Sequence, residues 1–418
     1  MTSDAPQDDG SRQDEPTPDE APQGPAQEEP AAEEPIAEEP VQEELSLLKR
    51  HRVARQGAQR ALTGRLVPAP APAQQLRDLA DWLDRCAQDN PAAALWDNYG
   101  EDGPVAELER RVAELLGKPT AAMFPSGVMA QQAMLRVWCD RRGSSRVALP
   151  GLSHLLHHEL DGPRLLHGLR FELLGDGAAL PTTDQLAAIP GPVAAVLLEL
   201  PLRDAGYLLP SWSELVELTD AARARGAAVH LDGARIWESQ PWFDHPLEAI
   251  AGCADSVYVS LYKGLGGLAG SVVAGPVDEI DEARQWRTRH GGTLFSLLPY
   301  AVAGLRGLDE ELPRMGEYHR RAVELAQALT EAGFAVVPDP PRSVAFRLLT
   351  PGSAPVLHQR VVEHLEQDRV ALTPPWEPAD FPGWAWTEIT VGSATMQWSV
   401  DEAVESLTRV LRADTLPR

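Results

Sequence analysis

From about residue 74 onward, short apolar strand-like runs alternate with helical patterns, and few folds accommodate that alternation. Strand-like runs occupy 121–124, 146–149, 193–200, 227–231 and 256–261, with helical stretches such as 213–224 between them. Parallel neighbours need crossovers, and helices are the usual crossover, so the pattern predicts an α/β domain with a mostly parallel sheet. Residues 104–117 place Val105, Leu108, Val112, Leu115 and Leu116 on one helical face, with Pro104 in the first turn and Gly117 at the stop. Beyond residue 310 the order changes to a helix (317–332), a strand (344–349), a helix (355–367), a strand (388–391) and a final helix (400–413). That order suits a smaller α+β domain.

More than half of the net charge, −14 of −25, lies in the first 45 residues, which read as a different kind of chain. Residues 1–45 hold 15 acidic residues, one basic residue and eight prolines, including the near-repeat EEPAAEEPIAEEP. Such text buries too little apolar surface to offset its ordering entropy and is expected to be disordered. Residues 46–66 reverse the sign, with Lys49, Arg50, Arg52, Arg55, Arg60 and Arg65 and no acid. This basic arm is expected to pack on another subunit or to attract the acidic tail. A Pro-Ala run at 68–73 follows as a semi-rigid connection. The expected organisation is a tail (1–45), an arm and linker (46–73), a large domain (74–310) and a small C-terminal domain (311–418).

Composition excludes several partners. After the tail the chain carries 36 basic and 47 acidic residues, so no surface can track a phosphodiester backbone and nucleic acid is not expected. No run of 18 apolar residues suggests a membrane span. An acidic start without a basic n-region reads as no secretory leader, and the reading is cytoplasmic. Three scattered cysteines (Cys86, Cys139, Cys253) argue against a disulfide framework or a metal site. Only three lysines occur, Lys49, Lys118 and Lys263, against 34 arginines. Any reaction through an amine nucleophile has three candidates.

The chemistry concentrates between 227 and 275. One apolar strand ends in His230-Leu231-Asp232-Gly233-Ala234-Arg235, and a second ends in Tyr262-Lys263 and a glycine-rich turn. Ligands in open α/β sheets bind beyond the carboxyl ends of strands, where Asp232 and Lys263 both fall. A lysine and an aspartate so placed have a well-known joint use with pyridoxal 5′-phosphate. The lysine forms a Schiff base, and the carboxylate keeps the pyridine nitrogen protonated so that the ring becomes an electron sink. Arg235 is expected to face the cofactor phenolate or a substrate anion. A phosphate needs backbone N–H groups at a helix N-terminus, and Met123-Phe124-Pro125-Ser126-Gly127-Val128-Met129 offers a strand, a Ser-Gly turn and a helix start. The glycines at 264–270 follow no nucleotide-loop spacing.

Four collinear motifs, YGEDGPVAELERRVAELLGK (99–118), FPSGVMAQQAML (124–135), HLDGARI (230–236) and SLYKGLGGLAGSVVAG (260–275), resemble the threonine aldolase and β-eliminating lyase family. These are pyridoxal-phosphate enzymes of fold type I, and the resemblance covers about half the chain. It implies a large domain with a mostly parallel sheet of the seven-stranded type. It also implies that Lys263 is the Schiff-base lysine, Asp232 the partner of the pyridine nitrogen, and Arg235 a neighbour of the phenolate. Ser126, Gly127 and Val128 would hold the phosphate, and His154 would stack on the cofactor ring and handle protons. The segment Arg287-Thr288-Arg289-His290-Gly291-Gly292 resembles the stretch that reaches a neighbouring subunit's phosphate, which implies a homo-oligomer, dimer or tetramer.

Three departures concern the substrate side. The family's serine-aspartate-threonine segment is missing, and Glu199-Leu200-Pro201-Leu202-Arg203-Asp204 stands where the family has a histidine. Thr387 or Glu388 falls where an arginine normally grips the substrate carboxylate, with Trp376, Trp384, Trp386 and Trp398 nearby. Arg203, Arg289 and Arg347 are the candidate replacements. The expected activity is a pyridoxal-phosphate lyase on a β-hydroxy or β-substituted amino acid, with Cα–Cβ cleavage favoured over β-elimination. The alternatives are an aminotransferase and a catalytically altered protein with a binding or regulatory role.

Overall fold

A computed structural model of the chain describes residues 39–64, 71–89 and 95–412. Residues 44–418 form one compact unit; of the other, 1–43, only the first residues of a helix are described. The large sheet has seven strands: β1 (Thr120–Phe124), β2 (Arg146–Pro150), β3 (Arg170–Leu174), β4 (Ala195–Glu199), β5 (Ala228–Gly233), β6 (Ser256–Ser260) and β7 (Ser271–Gly275). Their spatial order is β1-β7-β6-β5-β4-β2-β3, parallel except for β7, which runs antiparallel to both neighbours.

Both faces of this sheet are covered, which is why its strands read as continuous apolar runs rather than alternating ones. Along β4, Ala195 and Leu197 enter one core while Val196 and Leu198 enter the other. Two strands escape the sequence reading for opposite reasons. β3 lies at the edge and carries Arg170 and Glu172, so its apolar signal is weak; β7 merges with the glycine-rich text before it. The chain turns outward from β2 to β3 but inward from β4 to β5, so the strand order reverses between β2 and β4. A crevice opens at such a switch point. The residues just beyond β2, β4, β5 and β6 are those expected to carry chemistry.

The N-terminal segments fold back on the C-terminal part of the same unit. Helix α1 (Glu39–Gln56) starts inside the stretch expected to lack structure; residues 1–38 of that stretch lie outside the described residues. Helix α2 (Pro72–Asp89) begins within the Pro-Ala run, whose residues 65–70 are likewise not described. Two further helices, α3 (Gly103–Leu115) and α4 (Gly127–Arg142), flank β1 in sequence. The basic arm lies against helix α5 (Ala354–Asp368) of its own chain. Arg50 pairs with Glu366 at 2.7 Å, and His51 Nδ1 meets His358 Nε2 at 2.9 Å. Residues 60–61 then pair in parallel with 370–371, and Arg60 pairs with Glu402 while lying 3.7 Å over the Trp398 ring.

The C-terminal sheet is antiparallel, in the order β10-β11-β9-β8, from β8 (Ala335–Val337), β9 (Ala345–Pro351), β10 (Glu377–Pro378) and β11 (Trp384–Thr390). Residues of β11 alternate between buried and half-buried, so Thr387 faces the core and Glu388 faces out toward the crevice. Among the described residues no helix is long and apolar enough to cross a membrane.

Candidate active site

Asp232 is the penultimate residue of β5, only 3% exposed, and its carboxylate accepts from the Ala234 N–H at 3.0 Å. Directly opposite in the parallel register is Glu199, the last residue of β4. Glu199 accepts from the backbone N–H groups of His154 (3.0 Å) and Arg203 (3.3 Å). Burial pushes both carboxyls up, Glu199 to about 8, with repulsion from Asp232 adding to the rise of Glu199 and repulsion from Glu159 to that of Asp232. Lys263 counters this for Asp232. The pair therefore has a proton to share and a standing demand for a nearby cation.

Lys263 follows β6 and lies where burial, then the neighbouring Arg235 guanidinium, lower its pKa. A lowered amine pKa raises the neutral fraction available as a nucleophile. The turn after it requires glycine at 264, where a Cβ would sit 2.7 Å from Cδ of Glu238.

The N-terminus of α4 is capped by Ser126, whose hydroxyl accepts from the Met129 N–H at 3.3 Å. Gly127 packs against Tyr258 so closely that a Cβ would lie 2.1 Å from the phenol oxygen. The first turn of α4 thereby presents bare backbone to a cavity of about 160 Å³, lined by Ser126, Gly127, Val128, His154, Asp232 and Lys263 among others. The fold also ties α4 to β5: His230 Nε2 meets Gln131 Oε1 at 2.6 Å and its Nδ1 meets Ser256 Oγ at 2.8 Å. Burial drops the pKa of His230 to about 3, so it is a neutral strut.

His154 stands just after β2 on the same cavity. Its Nδ1–H donates to Glu159 at 3.3 Å, and Gln132 Nε2 donates to the other Glu159 oxygen at 2.8 Å. The Glu159 hydrogen bond raises the His154 pKa against the opposing effect of burial. The adjacent histidines are engaged elsewhere, His157 with the Gly151 carbonyl at 2.9 Å and His158 with Asp204 at 2.6 Å.

These residues fit pyridoxal phosphate. The cavity has a lysine amine, a buried carboxylate that needs a cation, an imidazole, and at one end a helix N-terminus where only glycine fits. The donor set matches aldehyde, pyridine nitrogen, ring face and phosphate in turn.

A second cavity of about 270 Å³ opens on the other side of Lys263, lined by Arg55, Thr63, Gly64, Arg235 and Glu388 among others. No serine-aspartate-threonine run exists, yet residues 63 and 64 of the arm do line the pocket. Glu388 pairs with Arg203 at 2.7 Å. Arg347 lies 4.0 Å over the Trp386 ring and donates to the Asp204 carbonyl at 2.9 Å. Arg289 lies 4.6 Å over the Trp286 ring, outside both cavities. In the segment expected to reach a partner, Arg287 is buried and donates to the Met123 carbonyl of its own chain.

Sequence reasoning named Glu199 only within a departure from the family and Arg55 only within the basic arm, and it overlooked Glu159 and Thr63. Glu159 lies five residues beyond His154 and Glu199 at the end of an apolar run, positions that solvated surface acids occupy as well. Arg55 and Thr63 carried no signal, because their arrival at the site depends on how a distant arm docks.

Comparison with known proteins agrees with this geometry. The model of the family described as β-eliminating lyase matches residues 90–346. The low specificity L-threonine aldolase of Escherichia coli K12 is 32% identical over 249 residues, 58% of this chain and 73% of the relative. A solved Listeria monocytogenes structure, provisionally described as an L-allo-threonine aldolase, superposes with a TM-score of 0.78 at 32% identity, covering 88% of this chain and 99% of that one. Sphingomonas wittichii serine palmitoyltransferase, at 14% identity, shares the fold with a TM-score of 0.56 over 80% of this chain and 83% of its own. With the switch-point crevice, the lysine turn and the glycine-bearing helix start all falling inside the matched span, the chain belongs to the β-eliminating lyase family and has the fold of type I pyridoxal-phosphate enzymes.

Proposed function

We propose that the chain is a pyridoxal-phosphate-dependent lyase that cleaves the Cα–Cβ bond of a β-hydroxy amino acid to give glycine and an aldehyde. The observation that carries the reading is the convergence of Lys263, Asp232 and His154 on one cavity whose far end is the α4 N-terminus. Bound there, the cofactor would supply an electron sink for the pair released when the Cα–Cβ bond breaks. Lys263 would hold it covalently, Asp232 would keep its ring nitrogen protonated, and the N–H groups of Gly127 and Val128 with Ser126 would bind its phosphate.

His154 moves the proton. Its Nε2, with Nδ1–H held by Glu159, takes the β-hydroxyl proton as the carbonyl forms. Arg235, between Lys263 and Tyr207, holds negative charge near the lysine. Glu199 holds the backbone at His154 and at Arg203, which fixes the base and the substrate loop together.

A cytoplasmic homo-oligomer goes with this reading. Among the described residues the three cysteines form no disulfide, which suits a reducing compartment. Tyr99 and Phe295 meet edge to face at 5.5 Å while 56% and 66% exposed, the kind of aromatic pair that a partner covers. The test of the reaction is an assay of threonine, allo-threonine and phenylserine for release of glycine and aldehyde. Turnover lost in Lys263→Ala supports the reading. Turnover that instead demands a keto-acid acceptor, or that survives without Lys263, contradicts it.

A further inference from the structure

An amino acid that leaves water for a partly closed cavity needs a cation for its carboxylate. Four arginines are candidates, and two of them are committed to partners within the chain. Arg203 is neutralised by Glu388 at 2.7 Å. Arg347 is turned toward the Asp204 carbonyl and the Trp386 ring. Arg235 lies 5.4 Å over the Tyr207 ring and lines the same 270 Å³ cavity beside Lys263, where it is available to the cofactor phenolate. The fourth, Arg55, lines the 270 Å³ cavity together with Lys263 and forms no ion pair among the described residues. The acids of that cavity have other company: Glu388 has Arg203, Glu311 accepts from the Tyr318 hydroxyl at 2.8 Å, and Glu238 packs beneath Gly264.

The arm that carries Arg55 is fixed on both sides of it. Upstream, Arg50 and His51 engage Glu366 and His358 of α5. Downstream, Ala58 and Ala61 pack with Leu365, Ala371 and Ala394, and Thr63 and Gly64 enter the cavity wall. A long guanidinium on a held helix end, lining an open pocket and forming no ion pair among the described residues, can take an anion. Arg55 is exposed, so a ligand can reach it from solvent, while partial desolvation by the surrounding protein lowers its pKa.

We propose that Arg55, delivered by the N-terminal arm, grips the carboxylate of the amino acid substrate. The assignment rests on reading the site as an amino-acid lyase.

The test titrates glycine and glycinamide into the cofactor-loaded protein and follows the visible absorbance of the bound cofactor. In Arg55→Ala the dissociation constant of glycine rises about 10- to 100-fold, while that of glycinamide, which has no carboxylate, moves less than about twofold. Arg55→Lys, which keeps the charge but not the planar fork, falls between. The KM for the hydroxy amino acid follows glycine, with kcat changed less. Glycine binding unchanged in Arg55→Ala, or glycine and glycinamide weakened alike, overturns the assignment while leaving the lyase reading intact. A wild-type protein with no cofactor absorbance, or none that responds to amines, overturns the lyase reading itself and this assignment with it.

Discussion

At the scale of single residues, the site is a set of charges whose burial makes sense only with a cation between them. Asp232 and Glu199 face each other at adjacent strand ends, and both carboxyls are raised by burial. A pyridinium against Asp232 removes that cost, so Asp232→Asn is expected to keep the fold, weaken cofactor retention and slow turnover by ~10²-fold or more. Equal turnover in the variant would reduce Asp232 to a local cap of the Ala234 N–H. His154 gives a pH signature. Its base form is the neutral one and its pKa lies above the ordinary 6.5, chiefly through Glu159. The acid limb of kcat/KM should therefore rise with pH through a value above 6.5 and move to lower pH in Glu159→Gln. A limb that stays in place would assign the proton to another group. Lys263, Asp232 and the Ser126-Gly127 turn were legible in the sequence because each stands at a strand end or helix start, where local text fixes position. Glu159 and Glu199 belong to the same local text, but a lone acid at a loop or strand end also describes solvated surface, so nothing distinguished them.

At the scale of elements, two junctions decide whether the site exists. The first is the start of α4 against β6. Gly127→Ala drives a methyl into the Tyr258 phenol, so the helix start must shift away from the phosphate position. Loss of cofactor on dialysis with little change in melting temperature is the expected outcome, and full retention would mean that the phosphate is held elsewhere. The second junction is α1 on α5. His51 is buried beside His358, and burial with their mutual repulsion lowers its pKa to about 4. The sign follows from linkage: above the ordinary 6.5 neither folded nor unfolded His51 binds a proton, and stability is full. Between 6.5 and about 4 only the unfolded form takes the proton, so stability is lost across that window, by up to a few kcal/mol. Amide exchange in residues 46–56 should accelerate as pH drops from 7 to 5, after correction for intrinsic rates. In His51→Gln that acceleration should shrink. An arm equally protected at both pH values would show that the pair does not hold it. The docking of α1 was illegible in the sequence because a basic stretch without acids reads as solvated or intermolecular. What fixes it here is a partner more than 300 residues away.

At the scale of the whole molecule, the alternating pattern announced the large sheet, since fully buried parallel strands have no other way to be written. The pattern did not announce β3 or β7: one is a charged edge and the other is masked by glycines. The C-terminal part was legible as α+β, but the orientation of β11 was not; its two-residue period fixed only that either Thr387 or Glu388 faces the pocket. The Glu388–Arg203 pair shows that an acid at the pocket wall has been neutralised within the chain. The exposed Tyr99–Phe295 pair carries a prediction about assembly: Tyr99→Ser with Phe295→Asp should lower the sedimentation coefficient if a second copy covers this patch. An unchanged coefficient would assign the interface to another face. The predictions about the cofactor site depend on one claim, that Lys263 and not another amine carries the cofactor. Borohydride reduction of the cofactor-loaded protein, followed by peptide mapping, tests it most directly, because the chain has only Lys49, Lys118 and Lys263 to choose among. The account predicts the mass of reduced pyridoxyl phosphate on the peptide that contains Lys263. A label on Lys118 or Lys49, or none on any lysine, would contradict it.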